Sequence, residues 1–69
     1  MFFIKRYMED EDGDKMTGYL TNNGQYGTHK EAYGYSTYEE AHEDMQSEIG
    51  WFRQEFPNDY NDFSVVESD

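Results

Sequence analysis

The chain has 69 residues, with 16 acidic against five basic side chains, a formal net charge of −11 and no cysteine. A chain of this length forms one small domain that buries only about 60% of its unfolded surface. The absence of cysteine excludes disulfide bonds and thiolate metal sites, and the shortage of lysine and arginine argues against direct binding to nucleic acid or to an anionic membrane. No apolar run approaches the length of a membrane span and no segment resembles a signal peptide, so we expect a single cytoplasmic domain over residues 1–69.

Four segments have the composition of β-strands and are separated by turn residues. The first alternates from Phe2 to Met8, and Asp12-Gly13 supplies the positive φ that a hairpin turn requires. A turn-rich connection from Asn22 to Gly27 leads to a weaker third strand. The predicted strands are residues 2–8, 15–21 and 29–35, with a further strand at 63–66 that would lie at a sheet edge.

The stretch from Ser36 to Phe56 predicts one long amphipathic helix, at about residues 37–56. Ser36 and Glu39 have the spacing of a capping box, and Pro57 disfavours helical geometry in the residue before it. One face is apolar at the spacing of a 3.6-residue period: Tyr38, Ala41, Met45, Ile49, Phe52 and Phe56. The opposite arc is acidic: Glu39, Glu40, Glu43, Asp44, Glu48 and Glu55. Trp51 projects between these acids at about 100° per residue, so we expect it to be partly exposed.

These elements predict an α+β fold, in which a small antiparallel sheet of three or four strands packs against the helix in the order β-β-β-α(-β). The residues expected to face the helix are Phe2, Ile4, Met8, Met16, Leu20, Ala32 and Tyr35. Alternation then places Phe3, Tyr7, Tyr19 and Tyr33 on the other face of the sheet. Either a loop or the C-terminal segment covers this aromatic face, or it is a surface for self-association or for a partner.

The stretch from Gly18 to Ala41 carries a pattern of its own. It has a strand ending in Tyr19-Leu20-Thr21, a turn, Ala32 three residues before Tyr35, and the helix opening Ser36-Thr37-Tyr38-Glu39-Glu40-Ala41. This pattern resembles one found in many short, uncharacterised bacteriophage and prophage proteins. Gln25-Tyr26 stand where those proteins often have a tryptophan. The resemblance implies a ββ(β)α fold and an origin in a phage or mobile element, and it implies no active site.

The acids of the first turn raise the question of a calcium site. An EF-hand loop needs Gly at its sixth position and Glu at its twelfth. Counted from Asp10, Gly13 is fourth and Thr21 is twelfth, so we interpret the segment with Asp12 and Asp14 as an acidic hairpin turn that binds cations only weakly. No metal and no cofactor is predicted.

The histidines and carboxylates of this sequence show no pattern typical of a catalytic site. His29 and His42 have no second ligand pair near them in sequence, and His42 lies beside the apolar stripe, where a half-buried packing role is the commoner one. Neighbouring carboxylates such as Glu39 and Glu40 lie on a solvated helix face, which is a poor place to raise a carboxylate pKa. We therefore expect a protein that is not an enzyme.

The acidic helix face, with a tryptophan in it, carries the main functional hypothesis. Like charges four residues apart, as at Glu40 and Asp44, destabilise a helix slightly, so stability alone does not account for them. Acids at this spacing recur every ~6 Å along the helix, and the phosphates of one DNA strand recur every ~3.4 Å, so a carboxylate matches every second phosphate. The opposing interpretation is a solvated coat that keeps a small protein soluble.

Two functions of different classes follow. The first is an inhibitor, carried by a phage, that mimics nucleic-acid charge and blocks the basic cleft of a host DNA- or RNA-handling enzyme, as an anti-restriction, anti-CRISPR or similar counter-defence protein in the host bacterial cell. Its predicted partner-binding residues are Glu40, Asp44, Glu48, Trp51, Glu55, Asp10, Glu11, Asp12 and Asp14. The alternative is a non-catalytic accessory module, monomer or homodimer, that self-associates or binds a protein through Phe3, Tyr7, Tyr19 and Tyr33.

Overall fold

The computed structural model describes residues 1–68 and contains one antiparallel sheet with one α-helix packed on it. The elements are β1 (Phe2–Glu9), β2 (Lys15–Leu20), β3 (Tyr26–Gly27), a 3₁₀ turn (His29–Glu31), α1 (Tyr38–Glu55) and β4 (Tyr60–Glu67). The predicted α+β class and the order β-β-β-α-β are confirmed. The strand order, which the sequence leaves open, is β3-β2-β1-β4, so β4 forms one edge of the sheet.

The β1–β2 hairpin forms where the sequence predicts it. Gly13 has a φ of 87°, a left-handed conformation that glycine adopts without steric cost. The Asp10 carboxylate accepts hydrogen bonds from the backbone N–H groups of Asp12 and Asp14, both at 2.9 Å. Asp10 is therefore a structural residue of the turn, because its oxygen satisfies two backbone donors that no strand pairs.

The third strand differs from the prediction of residues 29–35. β3 has only two residues, Tyr26–Gly27, and the chain then enters the 3₁₀ turn, after which its backbone pairs with the sheet through isolated bridges at Ala32 and Tyr35. The Glu31 carboxylate accepts from the Thr28 N–H at 3.1 Å and from the Thr28 hydroxyl at 2.9 Å. This local capping competes with strand pairing, and for that reason the ladder ends early.

The helix matches its predicted length to within a residue at each end, but its cap lies one residue further along than the predicted Ser36. The Thr37 hydroxyl accepts from the Glu40 N–H at 3.2 Å, so Thr37 is the N-cap. The Glu40 carboxylate accepts from the Thr37 hydroxyl, also at 3.2 Å, rather than from the Thr37 backbone N–H that a capping box would use. Both Ser36 and Thr37 are good N-cap residues, and spacing alone does not distinguish them because Glu39 and Glu40 are adjacent.

The core lies between α1 and one face of the sheet and is built mainly from predicted residues. Its buried members are Ile4, Leu20, Tyr35, Ala41, Met45 and Phe52. Met16, predicted to face inward, is 51% exposed, and Tyr38 and Phe56 of the predicted apolar stripe are 49% and 46% exposed. Tyr38 and Phe56 lie at the two ends of the helix, where burial is incomplete even though the Tyr38 ring still packs on Phe2 at 6.2 Å.

Arg6 also occupies the core, although the predicted set of helix-facing residues omitted it; alternation from Ile4 places it on that face. It is 6% exposed, and its guanidinium carbon lies 3.9 Å from the centre of the Phe52 ring. Its Nε donates to Asn61 Oδ1 at 2.8 Å. The pKa of Arg6 is lowered by burial, and the tyrosine and carboxylates around it act in the opposite direction. A cation of this kind tolerates burial because aromatic faces and an amide oxygen replace water.

The opposite sheet face is partly covered. The ring of His29, on the 3₁₀ turn, lies 5.1 Å from that of Phe3 and 4.9 Å from that of Tyr19. Tyr33, predicted on this face, instead lies 4.8 Å from the buried Tyr35 ring, on the helix side, because residues 32–35 form no continuous strand and so do not alternate. Tyr60, which no prediction assigned, lies 6.2 Å from Tyr7.

Candidate functional site

The acidic flank of α1 forms one wall of an open groove of about 540 Å³. Its other wall is the end of β2 and the turn that follows it. The carboxylates in this groove are Glu40, Glu43, Asp44 and Glu48, and the tyrosines are Tyr33 and Tyr35. We call this set the acidic groove. Three of the predicted partner-binding residues, Glu40, Asp44 and Glu48, thus lie together, and the structure adds Glu43 to them.

Two tyrosine hydroxyls hold carboxylates of the acidic groove in place. Tyr35 donates to Asp44 Oδ2 at 2.8 Å, and Tyr26 donates to Glu48 Oε1 at 2.8 Å. Burial, followed by the bond to Glu48, raises the pKa of Tyr26 well above its ordinary value, and burial, followed by the bond to Asp44, does the same for Tyr35. Both phenols are therefore protonated donors at neutral pH.

The hydrogen bonds inside the groove leave most of its acceptor capacity free. A carboxylate has about four lone-pair sites, and Asp44 and Glu48 each use one oxygen for a tyrosine. Glu40 accepts from the Thr37 hydroxyl through Oε1 at 3.2 Å. The groove consequently presents fixed carboxylates that have acceptor sites left for cationic donors from another molecule.

No carboxylate of the acidic groove forms a side-chain ion pair within residues 1–68, although the buried Arg6 acts on Glu48 at longer range. In the described part of the chain, the only side-chain ion pair is Lys15 with Glu9, at 3.7 Å on the far hairpin. Arg6, the one buried base, lies under the helix against Phe52 and donates to an asparagine. Because like charges at four-residue spacing oppose helix formation, the arrangement costs stability and concentrates negative potential on one flank.

The remaining predicted partner-binding residues lie outside the acidic groove. Trp51 is 51% exposed, as expected, and its ring packs on those of Phe52 at 4.9 Å and Phe56 at 5.9 Å. Glu55 is the last helical residue and is exposed. The hairpin acids Asp10, Glu11, Asp12 and Asp14 line no part of the groove. The structure thus gathers three of the nine predicted residues, with Trp51 and Glu55 further along the same helix.

Residues 1–68 contain neither a cluster of metal-ligating side chains nor a helix suited to a membrane. No three His, Cys, Asp or Glu side chains lie where they would hold a metal ion together. No helix in this range has both the length and the apolar composition to cross a membrane.

Sequence reasoning missed the tyrosines that organise the groove. Tyr26 and Glu48 are 22 residues apart and Tyr35 and Asp44 are nine apart, and each pair joins the helix to a segment whose strand assignment was wrong or incomplete. The available signal was the helical position of Glu48, which at about 100° per residue lies about 20° from Ala41. Its predicted place on the arc opposite the apolar stripe was therefore wrong, and it is half-buried at the border of the stripe. A carboxylate at this border loses part of its hydration on folding and needs a hydrogen-bond donor from the protein in its place.

Comparisons with protein-family models, with curated proteins and with solved structures found no match to this chain. The resemblance of residues 18–41 to short phage proteins therefore stays a prediction.

Proposed function

We propose that the protein is an acidic inhibitory binding protein that occupies the basic cleft of a nucleic-acid-handling enzyme. The observation that carries the proposal is the row of carboxylates at positions 40, 44 and 48 of α1, none of which forms a side-chain ion pair within residues 1–68 and two of which are fixed by tyrosine hydroxyls. Their spacing of ~6 Å along the helix axis is close to twice the ~3.4 Å by which successive phosphates of one strand advance along the duplex axis. A cleft lined with lysine and arginine would receive this flank as it receives a phosphate backbone.

Trp51 supplies the contact that charge alone lacks. Electrostatic attraction gives fast association but little selectivity among basic proteins, whereas tryptophan is enriched at interface hot spots. Trp51 is braced by the rings of Phe52 and Phe56, so little conformational entropy is lost when a partner covers it. We propose that it anchors the complex beside the acidic groove.

The biological setting is proposed on the resemblance to phage and prophage proteins. In that setting the protein acts in the host bacterial cytoplasm as an anti-restriction, anti-CRISPR or similar counter-defence protein. It works by occupying a cleft, without catalysis, and binds neither nucleic acid nor membrane itself.

The test is a pull-down from bacterial lysate with the tagged protein, eluted by a salt gradient. Glu43→Lys and Glu39→Lys form a matched pair: both replace an exposed helical acid and relieve the same Glu39–Glu43 repulsion, but only Glu43 lines the groove. We expect a nuclease, glycosylase, restriction or similar enzyme to be retained by the wild type and by Glu39→Lys. Glu43→Lys and Trp51→Ala should lose it at moderate salt.

If the protein is instead a module that associates through its aromatic sheet face, the same pull-down should give a different elution profile. His29 covers Phe3 and Tyr19, which leaves Tyr7 and the 56% exposed Tyr60 as the accessible aromatic pair. A partner held through these rings would survive high salt and would be indifferent to Glu43→Lys. That result would contradict the proposed mimicry and favour the alternative.

A further inference from the structure

The outer side of β4 is a long unpaired sheet edge. β4 pairs with β1 in continuous register from Tyr60 to Glu67, and no strand, loop or side chain among residues 1–68 hydrogen-bonds to its other side. The strand at the opposite edge, β3, has only two residues. Open edges of this length invite another strand, and natural proteins usually block them with lysine, proline or a bulge. β4 contains no lysine, proline or bulge, and its charged side chains are Asp62 and Glu67.

The direction of each backbone group on β4 follows from its pairing with β1. Met1 and Ser68 exchange two hydrogen bonds, each of 2.9 Å. Residues of an antiparallel pair alternate between groups that face the partner and groups that face away. The residues whose N–H and C=O point outward are therefore Asn61, Phe63, Val65 and Glu67.

The helix flank beside this edge differs from the acidic groove. Ile49, Arg53 and Phe56 line a second open groove of about 420 Å³ together with the start of β4. The carboxylates of the acidic groove are on the other flank, toward β2 and β3. Tyr60, at the start of the edge, and Phe56 are 56% and 46% exposed. Aromatic surface thus adjoins the open edge, and Arg53 shares this groove with Asp59 and Asp62.

We propose that a second copy of this chain pairs with β4, antiparallel about a two-fold axis at Ser64, to form a continuous eight-stranded sheet. In this register Phe63 faces Val65 and Asn61 faces Glu67 of the other copy. Four outward residues in each copy, each with one N–H and one C=O, give eight hydrogen bonds between the chains. The neighbouring register, with the axis at Phe63, leaves the groups of Glu67 unpaired.

Side chains across this interface are complementary. Phe63 and Val65 form an aromatic and β-branched pair on the helix face, which stabilises antiparallel strands. The Oδ1 of Asn61 accepts from Arg6 at 2.8 Å, which directs the amide N–H groups of Asn61 elsewhere and suits them to donate to the Glu67 carboxylate of the second copy. No like charges face each other directly. This surface is separate from the one proposed to bind a basic partner.

A cysteine crosslink tests the register directly, because the chain contains no cysteine of its own. Ser64 is exposed and would face its own copy in a non-hydrogen-bonded pair, where Cα atoms are about 4.5 Å apart and a disulfide fits. We expect Ser64→Cys to form a covalent dimer on mild oxidation. The control is Ser47→Cys, at a position that is also exposed but lies on the solvent side of α1. This variant should form at most a trace of covalent dimer.

Sedimentation equilibrium on non-crosslinked protein completes the test. Ser64→Lys reduces the net negative charge but places two ammonium groups opposite each other, so we expect dimerisation to weaken at least about tenfold. Ser47→Lys makes the same charge change and should leave dimerisation unaltered or slightly stronger. A wild type that stays monomeric at millimolar concentration would overturn the proposal, and so would a dimer that Ser64→Lys leaves intact while circular dichroism shows both variants folded.

Discussion

At the scale of single residues, the contact between helix and sheet depends on a buried cation. The Arg6 guanidinium lies against Phe52 and within 5.3 Å of the Tyr26 ring centre, and it donates to Asn61. These contacts join β1 to α1, to β4 and to the segment that carries Tyr26. The same residue therefore positions one wall of the acidic groove, through Tyr26 and its bond to Glu48.

Replacing this cation should be costly. We expect Arg6→Ala to lower the free energy of unfolding by roughly 2–4 kcal/mol, as other large-to-alanine core changes do, measured by urea denaturation. Arg6→Lys should recover only part of this loss, because an ammonium lacks the planar face that stacks on Phe52. Lys5→Ala, one residue away on the other sheet face, is the control and should cost less than about 1 kcal/mol. Equal losses of unfolding free energy for Arg6→Ala and Lys5→Ala would contradict the stabilising role of the buried Arg6.

The two tyrosine donors predict the behaviour of the protein in alkali. Folding raises the pKa of Tyr26 and of Tyr35 above the unfolded value of about 10. The stabilisation from each phenol is therefore complete below about pH 10 and is lost as the pH rises from there toward the folded-state pKa. The free energy of unfolding should fall above pH 10 by up to about 1.4 kcal/mol per pH unit for each tyrosine.

Urea midpoints measured from pH 8 to pH 11 check this prediction. The double variant Tyr26→Phe, Tyr35→Phe should start from a lower stability at pH 8, because two hydrogen bonds are lost, and should decline less steeply above pH 10. Tyr60→Phe, an exposed tyrosine whose hydroxyl forms no hydrogen bond with residues 1–68, is the control. A double variant as steep as the wild type would show that these phenols do not govern the alkaline loss.

At the scale of elements, the helix boundary is decided by one hydroxyl. Thr37 accepts the Glu40 N–H, and Ser36 makes no such bond. We expect Thr37→Ala to cost about 1 kcal/mol of unfolding free energy and Ser36→Ala less than about 0.5 kcal/mol. Thermal unfolding followed by circular dichroism measures both losses. A larger loss for Ser36→Ala than for Thr37→Ala would indicate that Ser36 is the N-cap, as the spacing predicts.

The helix charges make a second prediction at this scale. Glu43→Lys turns the repulsive Glu39–Glu43 pair into an attractive one, so it should raise the free energy of unfolding by a few tenths of a kcal/mol. Glu39→Lys relieves the same repulsion but replaces an acid of the first helical turn, where the helix dipole disfavours a cation, so its gain should be smaller or absent. Urea denaturation at low salt measures both changes, and they should shrink at high salt. A loss of stability in Glu43→Lys would contradict the repulsion that the four-residue spacing indicates.

The elements that the sequence predicts well are those with local causes. The 3.6-residue apolar period, the N-cap residues and Pro57 predict the helix, and Gly13 and the alternation of β1 predict the first hairpin. Both elements therefore follow from residues that are neighbours in sequence. β3 and Tyr33 were misplaced because alternation holds only while a ladder continues, and the ladder ends at Gly27. The tyrosine-held carboxylates join residues distant in sequence, so no spacing rule indicates them.

At the scale of the whole molecule, the two proposed surfaces respond to salt in opposite ways. Partner binding through the acidic groove should weaken as salt screens the attraction. Pairing of β4 with a second copy brings together two chains of formal charge −11, so screening should strengthen it. The two surfaces lie on opposite flanks of α1, which allows each to be altered without the other.

We propose that the acidic groove and nucleic acid compete for one basic cleft. The most direct measurement is the affinity of the recovered enzyme for this protein across a series of salt concentrations, with and without its nucleic acid. We predict that log affinity falls steadily with log salt, that Glu43→Lys flattens the slope while Glu39→Lys does not, and that nucleic acid displaces the protein. Simultaneous binding of both, at an affinity indifferent to salt, would contradict the claim.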